Sequence, residues 1–200
     1  MIFPFSKSPG ANGEVASRGK GLALIFELIE VLAISLVIII PIRYFLIQPF
    51  YVKGASMEPN FFDHEYLIID EISYRLHQPV RGEIVVFRYP KDPSQFFIKR
   101  VIGLPGETVE VAGGKVKIYN DSHPNGWALD ETSYLDQDFT AATQTVTLKS
   151  GEYYLMGDNR SASLDSRIFG PVHGSAIVGR VWLRGYPLDR WKHFATPVYP

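Results

Sequence analysis

The sequence predicts a mainly β domain behind a single transmembrane helix, and three observations lead there. Leu22 to Ile42 is almost continuously apolar. From Pro49 onward the chain breaks into short runs rich in Val, Ile, Tyr and Phe, separated by Gly and Pro. Neither an internal repeat nor a second linker divides that region. The expected organisation is a disordered cytoplasmic tail over 1–21, an anchor helix over 22–47 and an extracytoplasmic β domain of short antiparallel sheets over 48–200.

The tail earns its assignment from Ser6 to Gly21, rich in Gly and Ser. As a helix rising about 1.5 Å per residue, Leu22 to Ile42 is about 31 Å long, matching a bilayer core. Its fifteen Leu, Ile, Val and Phe residues favour insertion by about 4 to 9 kcal/mol, whereas Glu27 and Glu30 at the centre would cost about 5 to 7. A span beginning near Leu28 or Val31 and running to Phe45–Ile47 moves both acids toward the interface and lets Arg43 snorkel. Lys7, Arg18 and Lys20 against a single Glu14 place the tail in the cytoplasm by the positive-inside rule. The exit, Arg43-Tyr44-Phe45-Leu46-Ile47-Gln48-Pro49-Phe50, lacks the small residues of a cleavage site, so the helix is read as retained. The alternative is the buried core helix of a soluble domain, which seldom runs so long without a polar stripe.

Candidate strands follow at Phe50 to Val52, Glu65 to Asp70, Ile84 to Tyr89, Phe96 to Ile102, Glu107 to Val111, Lys115 to Tyr119, Thr145 to Leu148, Tyr153 to Met156 and Ala176 to Leu183. Thr108-Val109-Glu110-Val111 and Lys115-Val116-Lys117-Ile118 flank Ala112-Gly113-Gly114, a hairpin whose apolar residues share one face. Asn120 to Gln144, rich in Asp, Ser, Asn and Thr, reads as a long loop.

Composition removes several classes of function. A formal net charge of -1 offers no basic field for nucleic acid. The chain has no cysteine, which excludes disulfides, thiolate metal sites and cysteine nucleophiles. Its five histidines show no metal-binding spacing, so neither a metal nor another cofactor is expected.

Three segments carry candidate chemistry. In Gly54-Ala55-Ser56-Met57-Glu58-Pro59, Ser56 follows an extended segment beside a glycine that would let a substrate backbone approach. A turn serine bonding its own backbone would read the same way, and the final glycine of a hydrolase elbow is missing. In Phe96-Phe97-Ile98-Lys99-Arg100, a strand puts Lys99 on one face with Phe97 and Val101, and Arg100 on the other with Phe96, Ile98 and Ile102. A lysine on an inward apolar face loses solvation, which lowers its pKa and makes it a base near neutral pH; a lysine snorkelling to a strand edge would not. In Met156 to Arg167, Asp165 and Arg167 are placed for a charge-assisted contact, and a serine there could orient the lysine nitrogen.

These three segments, in this order, resemble the conserved boxes of type I signal peptidases: Ser56-Met57-Glu58-Pro59, Lys99-Arg100-Val101-Ile102-Gly103-Leu104-Pro105-Gly106-Glu107, and Gly157-Asp158-Asn159-Arg160 through Asp165-Ser166-Arg167. The resemblance runs from the anchor to Leu183. It implies a signal-peptidase-like β fold, Ser56 as nucleophile and Lys99 as general base. It also implies Ser163 hydrogen bonded to the lysine nitrogen, Asp165 with Arg167 bracing that loop, and Asp158 and Arg160 as structural support. Phe50, Val52, Phe61 and Ile98 match positions lining shallow pockets that admit small residues one and three positions before the cut. Gly54 stands where some members carry an oxyanion-donating hydroxyl, so the hole would rely on backbone N–H groups, including that of Ser56. The implied partners are signal peptides of exported preproteins and the lipid bilayer, with the chain acting as a monomer. Two other readings stay open: a self-cleaving protease of the SOS-repressor kind, and an inactive membrane-tethered β domain that binds extended peptides.

Overall fold

The continuous apolar run and the short alternating runs give two kinds of structure in the computed structural model, which describes residues 14–41, 48–135, 140–196 and 199. The chain divides into two units, Met1–Tyr44 and Phe45–Pro200. In the first, helix α1 runs Glu14–Pro41, and its Gly21–Ile40 portion has a mean hydropathy of 2.7 and is long and apolar enough to cross a membrane. The helix starts within the 1–21 segment expected to be disordered. Once the apolar turns have nucleated a helix, each further residue adds a hydrogen bond at little cost, and Ala16, Arg18 and Lys20 are good helix formers. Residues 1–13 of the expected tail, 42–47 at the end of the expected span, and 136–139 of the expected loop lie outside the described residues.

The second unit consists of strands β1 (Gln48–Tyr51), β2 (Tyr66–Asp70), β3 (Ile84–Tyr89), β4 (Asp92–Gly103), β5 (Thr108–Ala112), β6 (Lys115–Asn120), β7 (His123–Ala128), β8 (Gln144–Thr147), β9 (Glu152–Met156), β10 (Val172–His173), β11 (Ile177–Tyr186) and β12 (Lys192–His193), with short helices α2 (Ser73–Leu76) and α3 (Ser166–Phe169). One sheet has the order β1-β2-β11-β3-β4-β9-β10, with β12 also on β11; the other has the order β7-β6-β5-β8. Every strand pairing is antiparallel. Ala112 pairs with Lys115, so Gly113-Gly114 closes the expected hairpin.

The long loop expected over Asn120 to Gln144 needs correction, because β7 falls inside it and pairs with β6. His123-Pro124-Asn125-Gly126-Trp127-Ala128 has little β-propensity, and proline is tolerated there because β7 is an edge strand. The same segment buries Leu129, Glu131, Tyr134 and Leu135. Strands β10 and β12, two residues each, are too short to show a period in sequence.

Strand β4 separates the apolar clusters that frame the site. Val101 belongs to one cluster with Val85, Phe87, Tyr153, Leu155 and Val172, and Phe97 packs against it. Ile98 packs against the other, made of Val52, Met57, Phe61, Leu67, Ile69, Ile84, Val86 and Val181. Alternation along one strand thus sends neighbouring side chains into different environments. A third cluster, including Ile102, Val109, Val111, Val116 and Ile118, underlies the smaller sheet.

Candidate active site

Three connections converge here: the β1–β2 turn, the middle of β4 and the segment leaving β9. The turn is anchored by apolar side chains that follow its serine. Met57 and Phe61 are buried, Phe61 stacks on Phe194 with ring centroids 4.4 Å apart, and Glu58 N and Phe61 N close on Ala55 O and Met57 O at 3.2 and 2.9 Å. Ser56, just ahead of them, is left half-buried.

Lys99 is only 3% exposed. Its Nζ donates to Ile98 O at 2.7 Å and lies 2.7 Å from Ser56 Oγ. Burial disfavours the ammonium form and lowers the pKa to about 8, although the negative charges of Asp165 and Asp158 pull the other way. A neutral amine at this distance has a lone pair free to accept the Ser56 hydroxyl proton.

The segment after β9 packs against the same turn. Asp165 is fully buried and accepts from Arg167 Nε and Nη2 at 2.8 and 2.7 Å and from Gly157 N at 3.0 Å. Burial raises its pKa, but Arg167 and the Gly157 N–H outweigh that and hold it below the usual carboxylate range. Its Oδ1 also accepts from Arg167 N, capping α3. Ser163 needs correction: its Oγ is buried, lies near Asp165 and makes no hydrogen bond. The amine uses the Ile98 carbonyl instead of the expected Ser163 hydroxyl. Ser163 is nonetheless next to the turn, for a Cβ added at Gly157 would clash with both Ser163 Oγ and Ser56 O. Only glycine allows that approach.

Behind the turn, Asp158 accepts from Arg100 Nε and Nη2 at 2.8 and 2.7 Å and from Asn60 Nδ2 at 2.9 Å, and the Tyr134 ring covers the guanidinium at 4.0 Å. Arg160 holds Glu131 through Nη1 and Nη2, at 2.8 and 2.5 Å, and donates to Gly157 O. Sequence reasoning missed Asn60, Glu131 and Asn159. Only Asn159 gave a signal, as part of the polar run from Gly157 to Arg167.

Gly54 has φ +91 and no side chain to donate, and its N–H goes to Asp63 Oδ1 at 2.9 Å. Phe50, Val52, Phe61 and Ile98 come together in one apolar cluster, with Val52 and Phe61 buried and Phe50 and Ile98 half-buried. Strand β9 pairs with β4 only at Arg100, Val101 and Gly103. Phe96 to Lys99 therefore have β3 on one side and, among the described residues, no strand on the other. A cavity of about 350 Å³ lined by Tyr74, His77, Tyr153 and His173 contains none of these site residues.

A serine hydroxyl against a buried amine, on an antiparallel β scaffold, defines a hydrolase of the serine peptidase class. The family model for signal peptidase, peptidase S26, matches residues 25–186, and the chain belongs to that family. It is 36% identical to a signal peptidase I of Leptolyngbya laminosa, over 97% of this chain and 95% of that one. It is 31% identical to signal peptidase IB of Staphylococcus aureus, over 86% of this chain and 95% of that one. A solved signal peptidase I from Enterococcus faecalis aligns with 34% identity and a TM-score of 0.42, covering 52% of this chain and 97% of the other.

Proposed function

We propose that this peptidase removes signal peptides from exported preproteins, with Ser56 as nucleophile and Lys99 as general base. The 2.7 Å contact between Lys99 Nζ and Ser56 Oγ, made by an amine whose pKa is lowered to about 8, carries the reading. Neutral Lys99 takes the hydroxyl proton as Ser56 Oγ bonds to the scissile carbonyl carbon, and the carbonyl electron pair moves onto oxygen. Collapse breaks the C–N bond, and Lys99 returns the proton to the leaving amine. Water, deprotonated by the same amine, then hydrolyses the acyl-enzyme.

The substrate enters as an extended strand between the β1 edge and the unpaired side of Phe96 to Ile98, which main-chain hydrogen bonds favour. Phe50, Val52, Phe61 and Ile98 form the apolar wall beneath it and, by bulk, restrict the positions one and three before the cut to small residues such as Ala. Asp165 with Arg167, and Asp158 and Arg160 with their partners, hold the loop that faces the turn. The apolar helix anchors the chain in the cell membrane with its amino terminus in the cytoplasm and the β unit outside, and the enzyme works as a monomer.

The test is cleavage of a preprotein bearing an Ala-x-Ala site by the detergent-solubilised chain. Ser56→Ala and Lys99→Ala are each expected to stay folded and lose at least about 10³-fold in kcat. Full activity in either variant overturns the pairing.

A further inference from the structure

With no hydroxyl at Gly54 and its N–H held by Asp63, the backbone N–H of Ser56 is left as oxyanion donor. No hydrogen bond among the described residues occupies it. What aims it follows from covalent geometry. A trans peptide is planar with C=O and N–H pointing in opposite directions, so whatever fixes the Ala55 carbonyl also fixes the direction of the Ser56 N–H. Ala55 O accepts from Asn159 Nδ2 at 3.1 Å and from Glu58 N at 3.2 Å. The following peptide plane is gripped by the same residue, since Asn159 N donates to Ser56 O at 3.1 Å.

Asn159 is itself firmly placed. Its Oδ1 accepts from Ser161 Oγ at 3.0 Å and Ala162 N at 3.2 Å. The preceding Asp158 is tied to Arg100 and to Asn60, at the far end of the Ser56 turn. One carboxamide thus joins the nucleophile turn to the loop bearing Ser163. We propose that Asn159 is the positioning residue of the oxyanion hole, its Nδ2 fixing the Ala55–Ser56 peptide plane so that Ser56 N–H meets the oxyanion. The proposal rests on Ser56 being the nucleophile.

The experiment uses the full chain in detergent with the Ala-x-Ala preprotein and compares Asn159→Ala with Asn159→Asp. The isosteric aspartate keeps the acceptor for Ser161 and Ala162 but loses the donor to Ala55 O, and it serves if the alanine variant fails to fold. In both, kcat is expected to fall about 10²-fold with KM within about twofold, and in Asn159→Ala, which adds no charge beside Lys99, the midpoint of the pH–rate profile stays unchanged. A peptide boronate, whose tetrahedral adduct on Ser56 carries the oxyanion, should lose affinity by the same factor as kcat/KM. Recovery of activity in Asn159→Asp, a rise in KM in place of the kcat loss, a shifted midpoint in Asn159→Ala, or kcat within about twofold of wild type overturns it. An inactive Ser56→Ala beside a fully active Asn159→Ala would sink this proposal alone; an active Ser56→Ala would sink the nucleophile assignment with it.

Discussion

Lys99 and Arg100 are neighbours on β4 and each is 3% exposed, yet the two faces of the strand treat them differently. On one face, Arg100 meets the carboxylate of Asp158 through two parallel hydrogen bonds and a third reaches Gly82 O. On the other, the hydrogen-bond partners of Lys99 among the described residues are a hydroxyl and a carbonyl oxygen, with the Phe97 ring 5.6 Å away and no carboxylate in a salt bridge. The remaining buried cations among the described residues follow Arg100: Arg81 pairs with Glu107, Arg160 with Glu131 and Arg184 with Glu65. A paired cation keeps its charge, whereas an unpaired one in the same low dielectric tends to give up its proton. The difference separates a structural cation from one suited to act as a base.

The largest expected effect lies on the paired face. Arg100→Met leaves the Asp158 carboxylate buried without its partner and should destabilise the fold by about 3 to 5 kcal/mol, read from denaturant midpoints. Lys99→Met should do the reverse. A pKa lowered from 10.5 to about 8 means that burying the ammonium costs about 3 kcal/mol at and below neutrality, and the thioether side chain removes that cost, for a gain of about 1 to 3 kcal/mol. Between about pH 8 and 10.5 the unfolded chain binds a proton at Lys99 that the folded chain does not. Wild-type stability should therefore climb toward that of Lys99→Met as pH rises through this window. Equal destabilisation by both variants would break the comparison. The smallest effect couples the faces. The Asp158 charge raises the Lys99 pKa, so Asp158→Asn should move the midpoint of the pH–rate profile downward by a fraction of a unit; an upward move would reverse the assigned sign.

Much of this contrast was legible in sequence, because strand alternation alone places residues 99 and 100 on opposite faces. The β5–β6 hairpin was legible for the same reason, its apolar residues recurring every second position. Pairings across long separations were not. Asn60 meets Asp158 from 98 residues away and Arg160 meets Glu131 from 29, and no local pattern marks which carboxylate a buried guanidinium will find. The partner of a hydroxyl is equally hidden. Ser163 lies beside the turn but makes no bond to the amine, because the outcome depends on a side-chain orientation that spacing does not encode.

The claim that Lys99 acts as a neutral base is tested most directly by the pH dependence of kcat/KM for cleavage of the Ala-x-Ala preprotein. With the Lys99 pKa at about 8, the rate should fall about tenfold per unit as pH drops below that value and level off above it, with a single ionisation. A rate that stays flat from pH 8 down to about pH 5 would contradict a base that must lose its proton to work.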